Sequence, residues 1–214
     1  MNHASIFPVV RYLSAYTTPV LMRLPVSANQ VTATSMFLGL GAALCLAMNA
    51  QIAAGFLMIG CYVLDNCDGE VARGKNQCSA FGKFFDSFVD WVVHTSFFLG
   101  LGYGMAAQSQ SEVWAWLGYT AAIGGTINYA FGQYLEAKDS KAAQGKPPQP
   151  HHQPSGLFEW TVFIFRELTR ADFCFLVLLL ALADWLWFLL PAGAIGAQAY
   201  WILQFFTFAR RFHV

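Results

Sequence analysis

Four aspartates fall in the segment DNCDGEVARGKNQCSAFGKFFDSFVD, which runs from Asp65 to Asp90. Asp65 and Asp68 are three apart, so on a helix they lie about 60° apart, with Ala72 between them in angle. Gly69 and Ala72 leave that face with almost no side-chain bulk. Gly82, Asp86 and Asp90 recur every four residues and climb one narrow stripe of a second helix. Only residues 73–79 separate the two helices, which makes them antiparallel neighbours and lets the four carboxylates converge. Ionised carboxylates crowded together repel one another unless cations intervene. Hard oxygen donors without His or Cys select Mg²⁺, Mn²⁺ or Ca²⁺. Two divalent cations balance four carboxylates, and a pair of ions about 3.5–4 Å apart is a known device for phosphoryl displacement. The bare face beside the acids admits a phosphorylated ligand to the backbone.

The elements that carry these acids are membrane helices. The chain has 214 residues, is 57% hydrophobic and only 11% charged, whereas soluble domains carry about 25% charged residues. Its formal net charge is zero, so no overall basic field suggests nucleic acid. Apolar segments at about 29–49, 51–72, 80–107, 112–135, 171–190 and 192–209 predict an all-α polytopic membrane protein with six transmembrane helices. Pro191-Ala192-Gly193 is read as the last turn. Residues 1–28 form an N-terminal segment in which Val9, Val10, Leu13, Tyr16 and Val20 recur at helical intervals, an amphipathic interfacial helix. Residues 29–214 form the membrane domain. No cleavable signal peptide is read in the first residues, and the first span would serve as export signal. EAKDSKAAQGKPPQPHHQPSG reads as a mobile loop and LFEWTVFIFRELTR as a second interfacial helix. All 12 Lys and Arg residues fall on one side of the six-span arrangement, which the positive-inside rule makes cytoplasmic. The five cysteines have no metal-type spacing and read as small buried hydrophobes.

Asp65-x-x-Asp68-Gly69-x-x-Ala72-Arg73, followed by Gly82-x-x-x-Asp86-x-x-x-Asp90, resembles the signature of the CDP-alcohol phosphotransferase (CDP-alcohol phosphatidyltransferase) family at all eight fixed positions. VSANQVTATS ahead of the first span is similar to that family's Pro-Asn-x-x-Thr, with Asn29 and Thr32 present and Ala28 in place of the proline. The resemblance implies transfer of a substituted phosphate from a CDP-linked lipid donor, such as CDP-diacylglycerol, to a small alcohol acceptor, with release of CMP. It implies Asp65, Asp68, Asp86 and Asp90 as ligands of two divalent cations, Mg²⁺ or Mn²⁺, and Asp90 as general base on the acceptor hydroxyl. Asn29, Thr32, Asp65, Gly69, Ala72 and Arg73 would bind the nucleotide. It further implies a homodimer among membrane lipids, in the plasma membrane, with site and termini facing the cytoplasm.

The acceptor is less defined. Lys138, Arg166 and Arg170 would hold a phosphorylated acceptor such as inositol phosphate or glycerol phosphate, although each also fits a residue snorkelling to lipid headgroups. Glu70 after Gly69 resembles the inositol-phosphate-using relatives. His94, one turn beyond Asp90, reads as a packed polar residue more readily than as its orienting partner. Glu167 and Asp172 read as partners of Arg166 and Arg170, and His151 and His152 as solvated. Gly39-x-Gly41 and Gly100-x-Gly102-x-Gly104 read as close-packing positions between helices. Two other classes remain open from the residues alone: a divalent-cation transporter using the same acids, and a non-catalytic CDP-lipid-binding membrane protein.

Overall fold

A computed structural model describes residues 9–142 and 172–210, and every element among them is helical. The order is α1 (Val10–Arg23), α2 (Ala28–Ala47), α3 (Gln51–Gly74), α4 (Ala80–Ser109), α5 (Val113–Ala142), α6 (Phe173–Leu182), a 3-10 turn (Leu186–Phe188) and α7 (Leu189–Arg210). The polar stretch beyond 142, the segment LFEWTVFIFRELTR, His151, His152, Arg166, Glu167 and Arg170 lie outside the described residues.

Helices α2 to α5 form an antiparallel series with very short connections. Two of the helices start where the sequence supplies caps. Ser27 and Gln30 form a reciprocal capping box on α2, and the Ser79 hydroxyl accepts the Gly82 N–H at 2.9 Å to start α4. Three helices end alike. After α2, α3 and α6, residues Asn49, Asn76 and Asp184 take φ of 59°, 55° and 56°. The amide of the residue after each one reaches back to a carbonyl of the last turn: Ala50 to Cys45, Gln77 to Ala72 and Trp185 to Leu180. This closes off carbonyls that the helix leaves unpaired, and Asn and Asp tolerate the left-handed conformation it needs.

The fifth expected span, 171–190, is therefore broken. Its helix stops at Leu182 and the chain turns at Ala183–Trp185, eight residues before the expected Pro-Ala-Gly turn. Pro191 instead lies in the first turn of α7, where a missing N–H costs nothing because that amide has no helical partner. The fourth expected span also runs on, since α5 extends to Ala142. Among the described residues two helices, Ala28–Ala47 and Leu186–Phe206, are long and apolar enough by composition to cross a membrane, with Phe173–Leu182 a shorter apolar helix.

Helices α2, α4 and α5 meet backbone to backbone. A Cβ on Gly100 would lie 2.2 Å from the Ala43 carbonyl oxygen, and one on Gly104 2.1 Å from that of Leu46. Gly102 meets Gly118 of α5 in the same way, at 3.0 Å from its Cα. These glycines are the close-packing positions expected from the sequence; Gly41, in contrast, has only ordinary contact with Leu57. Around them Leu46, Met58, Val89, Phe97, Leu101 and Leu190 make the buried core.

Helix α1 packs against α3 and is held at both ends. At its start the Asp172 carboxylate accepts the amides of Val9 (2.9 Å) and Val10 (3.0 Å). At its end Lys75 Nζ donates to the carbonyls of Leu21, Leu24 and Val26. An acid at the amino end and a cation at the carboxyl end both complement the helix dipole. Val10 and Ser14 are buried, while Tyr12, Leu13, Tyr16 and Val20 face outward. Val10 of the expected apolar stripe is therefore turned into the protein, while Val9, Leu13, Tyr16 and Val20 of that stripe are exposed.

Candidate active site

The end of α3 and the start of α4 face the start of α2 across a pocket of about 570 Å³. Asp68, Gly69, Ala72 and Arg73 come from α3, Gly82, Lys83 and Asp86 from α4, and Asn29 and Thr32 from α2. Neighbouring side chains occupy the space left by two glycines of this site. A Cβ on Gly82 would stand 3.3 Å from Asn29 Oδ1, and one on Gly69 3.4 Å from a guanidinium nitrogen of Arg73. Arg73 thus folds back over the bare face of its own helix while remaining exposed to the pocket.

Carboxylate oxygens of Asp65, Asp68 and Asp86 lie within 4.8 Å of one another. Three of the four acids expected to converge therefore do so within this distance, and three hard oxygen donors suit a divalent cation of the Mg²⁺ or Mn²⁺ type. Asp68 is 6% exposed, and its Oδ2 accepts the hydroxyl of the buried Thr32. Asp90, one turn farther along α4, lies outside that trio and is exposed. It remains within electrostatic reach of Asp65 and Asp86. The geometry therefore groups one buried and two half-buried acids, with an exposed fourth carboxylate beside Asp65 and Asp86.

Behind Asp90, His94 Nδ1 lies 2.7 Å from the Asp90 backbone carbonyl and Nε2 lies 2.8 Å from the Tyr62 hydroxyl. A carbonyl only accepts, so Nδ1 carries the proton and, in the neutral ring, the Tyr62 hydroxyl donates to Nε2. His94 is a packed polar residue here, bonded to the main chain of Asp90 rather than to its carboxylate. Glu70 turns to α1 and accepts the Thr18 hydroxyl. Asp172 spends both oxygens on the first amides of α1. Lys138 is exposed near the end of α5, while Arg166 and Arg170 lie outside the described residues.

Sequence reasoning passed over Gln77, Ser79 and Lys75. Ser79-x-x-Gly82 is a legible cap signal. The Lys75 and Gln77 side chains instead reach residues about fifty positions earlier, which no local pattern announces.

The sequence model of CDP-alcohol phosphatidyltransferase matches residues 25–209. A CDP-diacylglycerol–serine O-phosphatidyltransferase of Helicobacter pylori strain J99 is 32% identical over 97 residues, which cover 42% of this chain and 41% of that protein. A bifunctional IPC transferase and DIPP synthase of Thermococcus kodakarensis is 31% identical over 102 residues, 48% of this chain and 23% of the relative. The matched part thus spans less than half the length of either relative. The crystal structure of Mycobacterium tuberculosis phosphatidylinositol phosphate synthase with CDP-DAG bound superimposes with a TM-score of 0.56 at 17% identity, covering 89% of this chain and 91% of that one. Its apo form gives 0.55 at 18% identity, with coverage of 86% and 91%.

Proposed function

The chain belongs to the CDP-alcohol phosphatidyltransferase family, and from that premise we propose that it transfers a phosphatidyl group from CDP-diacylglycerol to a small alcohol and releases CMP. The observation that carries this reading is the Asp65, Asp68 and Asp86 trio beside a pocket walled by Asn29, Thr32, Gly69, Ala72 and Arg73. Those residues take the CDP part, with the bare Gly69 and Ala72 face beside the pyrophosphate and Arg73 offering charge-assisted hydrogen bonds to it. Asp65, Asp68 and Asp86 would hold divalent cations, two Mg²⁺ or Mn²⁺ ions in this reading, which when bound would neutralise the charge of the pyrophosphate and of the departing CMP.

Asp90 is exposed beside the trio, which suits a base on the acceptor. The acceptor oxygen attacks the phosphorus that bears diacylglycerol. The bond from that phosphorus to the bridging oxygen breaks, and CMP leaves with that oxygen. The hydroxyl proton passes to the Asp90 carboxylate. Holding donor and acceptor in line is worth more than acid catalysis here, because CMP is a stabilised leaving group.

The acceptor in this reading is inositol phosphate or glycerol phosphate, held by Lys138 with Arg166 and Arg170. In this reading the helices cross the membrane with the basic ends of α3, α5 and α7 and the site facing the cytoplasm of the plasma membrane. The one-sided placement of Lys and Arg supports that orientation. The homodimer rests on the family resemblance.

The test is CMP release by purified protein in detergent, with CDP-diacylglycerol and Mg²⁺ or Mn²⁺. Inositol phosphate, glycerol phosphate, serine and free inositol are added one at a time. CMP that appears with one acceptor and is lost in Asp90→Asn names the reaction. Metal-dependent ion flux in vesicles without any CMP would instead give the transporter reading.

A further inference from the structure

In the connection from Lys75 to Ser79, residues Gln77, Cys78 and Ser79 line the pocket, yet the reaction uses none of their side chains. The connection is fastened at two points. Lys75 Nζ donates to carbonyls at the end of α1, at 2.7 to 3.1 Å. Gln77 Oε1 accepts the backbone N–H of Ala28 at 2.9 Å. This second contact lies at the site itself, because Ala28 is the first residue of α2 and both residues line the pocket.

First-turn amides have no partner within their own helix. Ser27 Oγ takes the Gln30 amide, so the Ala28 amide is satisfied from outside. The donor exists only because this chain has alanine where Pro-Asn-x-x-Thr would put proline, which has no N–H to give. The bond also spans the pocket. Asn29 and Thr32 follow Ala28 on one wall. On the other, Ser79 follows Gln77 and caps the helix that carries Gly82 and Asp86.

We propose that Gln77 is a positioning residue, a latch that fixes the width of the nucleotide pocket by tying the α3–α4 connection to the first turn of α2. The consequence for ligand affinity rests on the reading of this pocket as the CDP site. Loss of the latch leaves Lys75 anchoring the connection to α1, so the helices stay assembled while the wall loosens.

The test uses the full chain in detergent with Gln77→Leu, Ala28→Pro and both together. Proline is accommodated at the first helical position, so Ala28→Pro removes the donor without breaking α2. Cys78 is an exposed free thiol in the same connection. Its alkylation rate, read by mass spectrometry of its peptide, reports wall mobility. Protection of Cys78 by CDP with Mn²⁺ reports occupancy. Each single variant is expected to speed alkylation about threefold and to raise the CDP concentration for half-protection about fivefold, with the double variant no worse than either single, since both remove one bond. Gln77→Glu keeps the acceptor, so its alkylation rate without CDP should stay near wild type. Unchanged alkylation and protection in Gln77→Leu, or effects that multiply in the double variant, would overturn the latch. If all three variants alkylate equally faster but CDP fails to protect even the wild type, the latch stands and the CDP reading of the pocket falls.

Discussion

The hydroxyl of Thr32, on α2, donates to the carboxylate of Asp68, on α3, at the floor of the pocket. Both residues are buried. A carboxylate accepting a fixed hydrogen bond on one oxygen presents the other in a defined direction, which is how an outer partner orients a metal ligand. Thr32 therefore holds one member of the acidic trio in a defined orientation.

Thr32→Val keeps the shape of the side chain and removes that donor. Its affinity for Mn²⁺, measured by titration with CDP present, should fall about tenfold, within the range for loss of an outer-shell partner. Unaltered Mn²⁺ affinity would mean that Asp68 is held by its packing alone.

The different roles proposed for Asp90 and for the trio predict two different defects. Asp90→Asn should abolish CMP release, by three or more orders of magnitude, while CDP binding stays near normal. Asp65→Asn should weaken metal-dependent CDP binding itself. Wild-type turnover in either variant contradicts the roles given to these acids.

Chelation gives a third expectation. EDTA should stop CMP release, and Mg²⁺ or Mn²⁺ should restore it, because crowded carboxylates without cations repel the pyrophosphate they are meant to hold. Turnover that survives exhaustive chelation would remove the metal from the mechanism.

The contact of Gly100 with the Ala43 carbonyl leaves no room for a methyl group at 2.2 Å. Gly100→Ala should force α2 and α4 apart and cost about 1–3 kcal/mol. Thermal unfolding in detergent measures this, with Gly125→Ala as control, since nothing lies within 4 Å of a Cβ there. Equal melting of the two variants would show that the close approach carries no stability.

Asp172→Ala should release the first amides of α1, at a cost of about 1–2 kcal/mol for the lost cap. Limited proteolysis should then cut within Val10–Arg23 sooner than in wild type. Cleavage at the wild-type rate would show that Lys75 and the packing on α3 suffice to hold α1.

Much of the site was legible before any fold was known. Asp65 with Asp68, and Gly82 with Asp86, follow helical periods, so the faces they share were fixed by spacing. The short connection between the two helices made those faces neighbours. The close-packing glycines of α4 were legible for the same reason. Turn chemistry was less so. Pro191 looked like the end of a span because proline interrupts helices, yet proline also begins them, and Asp184 carried the turn through a left-handed backbone that Asp only weakly advertises.

The sequence by itself determined an all-helical chain, two acidic stripes and the family signature, since each depends on residues a few positions apart. Only the tertiary structure decided that Asp90 stands outside the trio, that Thr32 aims Asp68, that Asp172 and Lys75 bracket α1, and that Gln77 meets Ala28. Those contacts join residues far apart in the chain. Which backbone group a side chain reaches is set by how the helices pack, and helical periodicity says nothing about that.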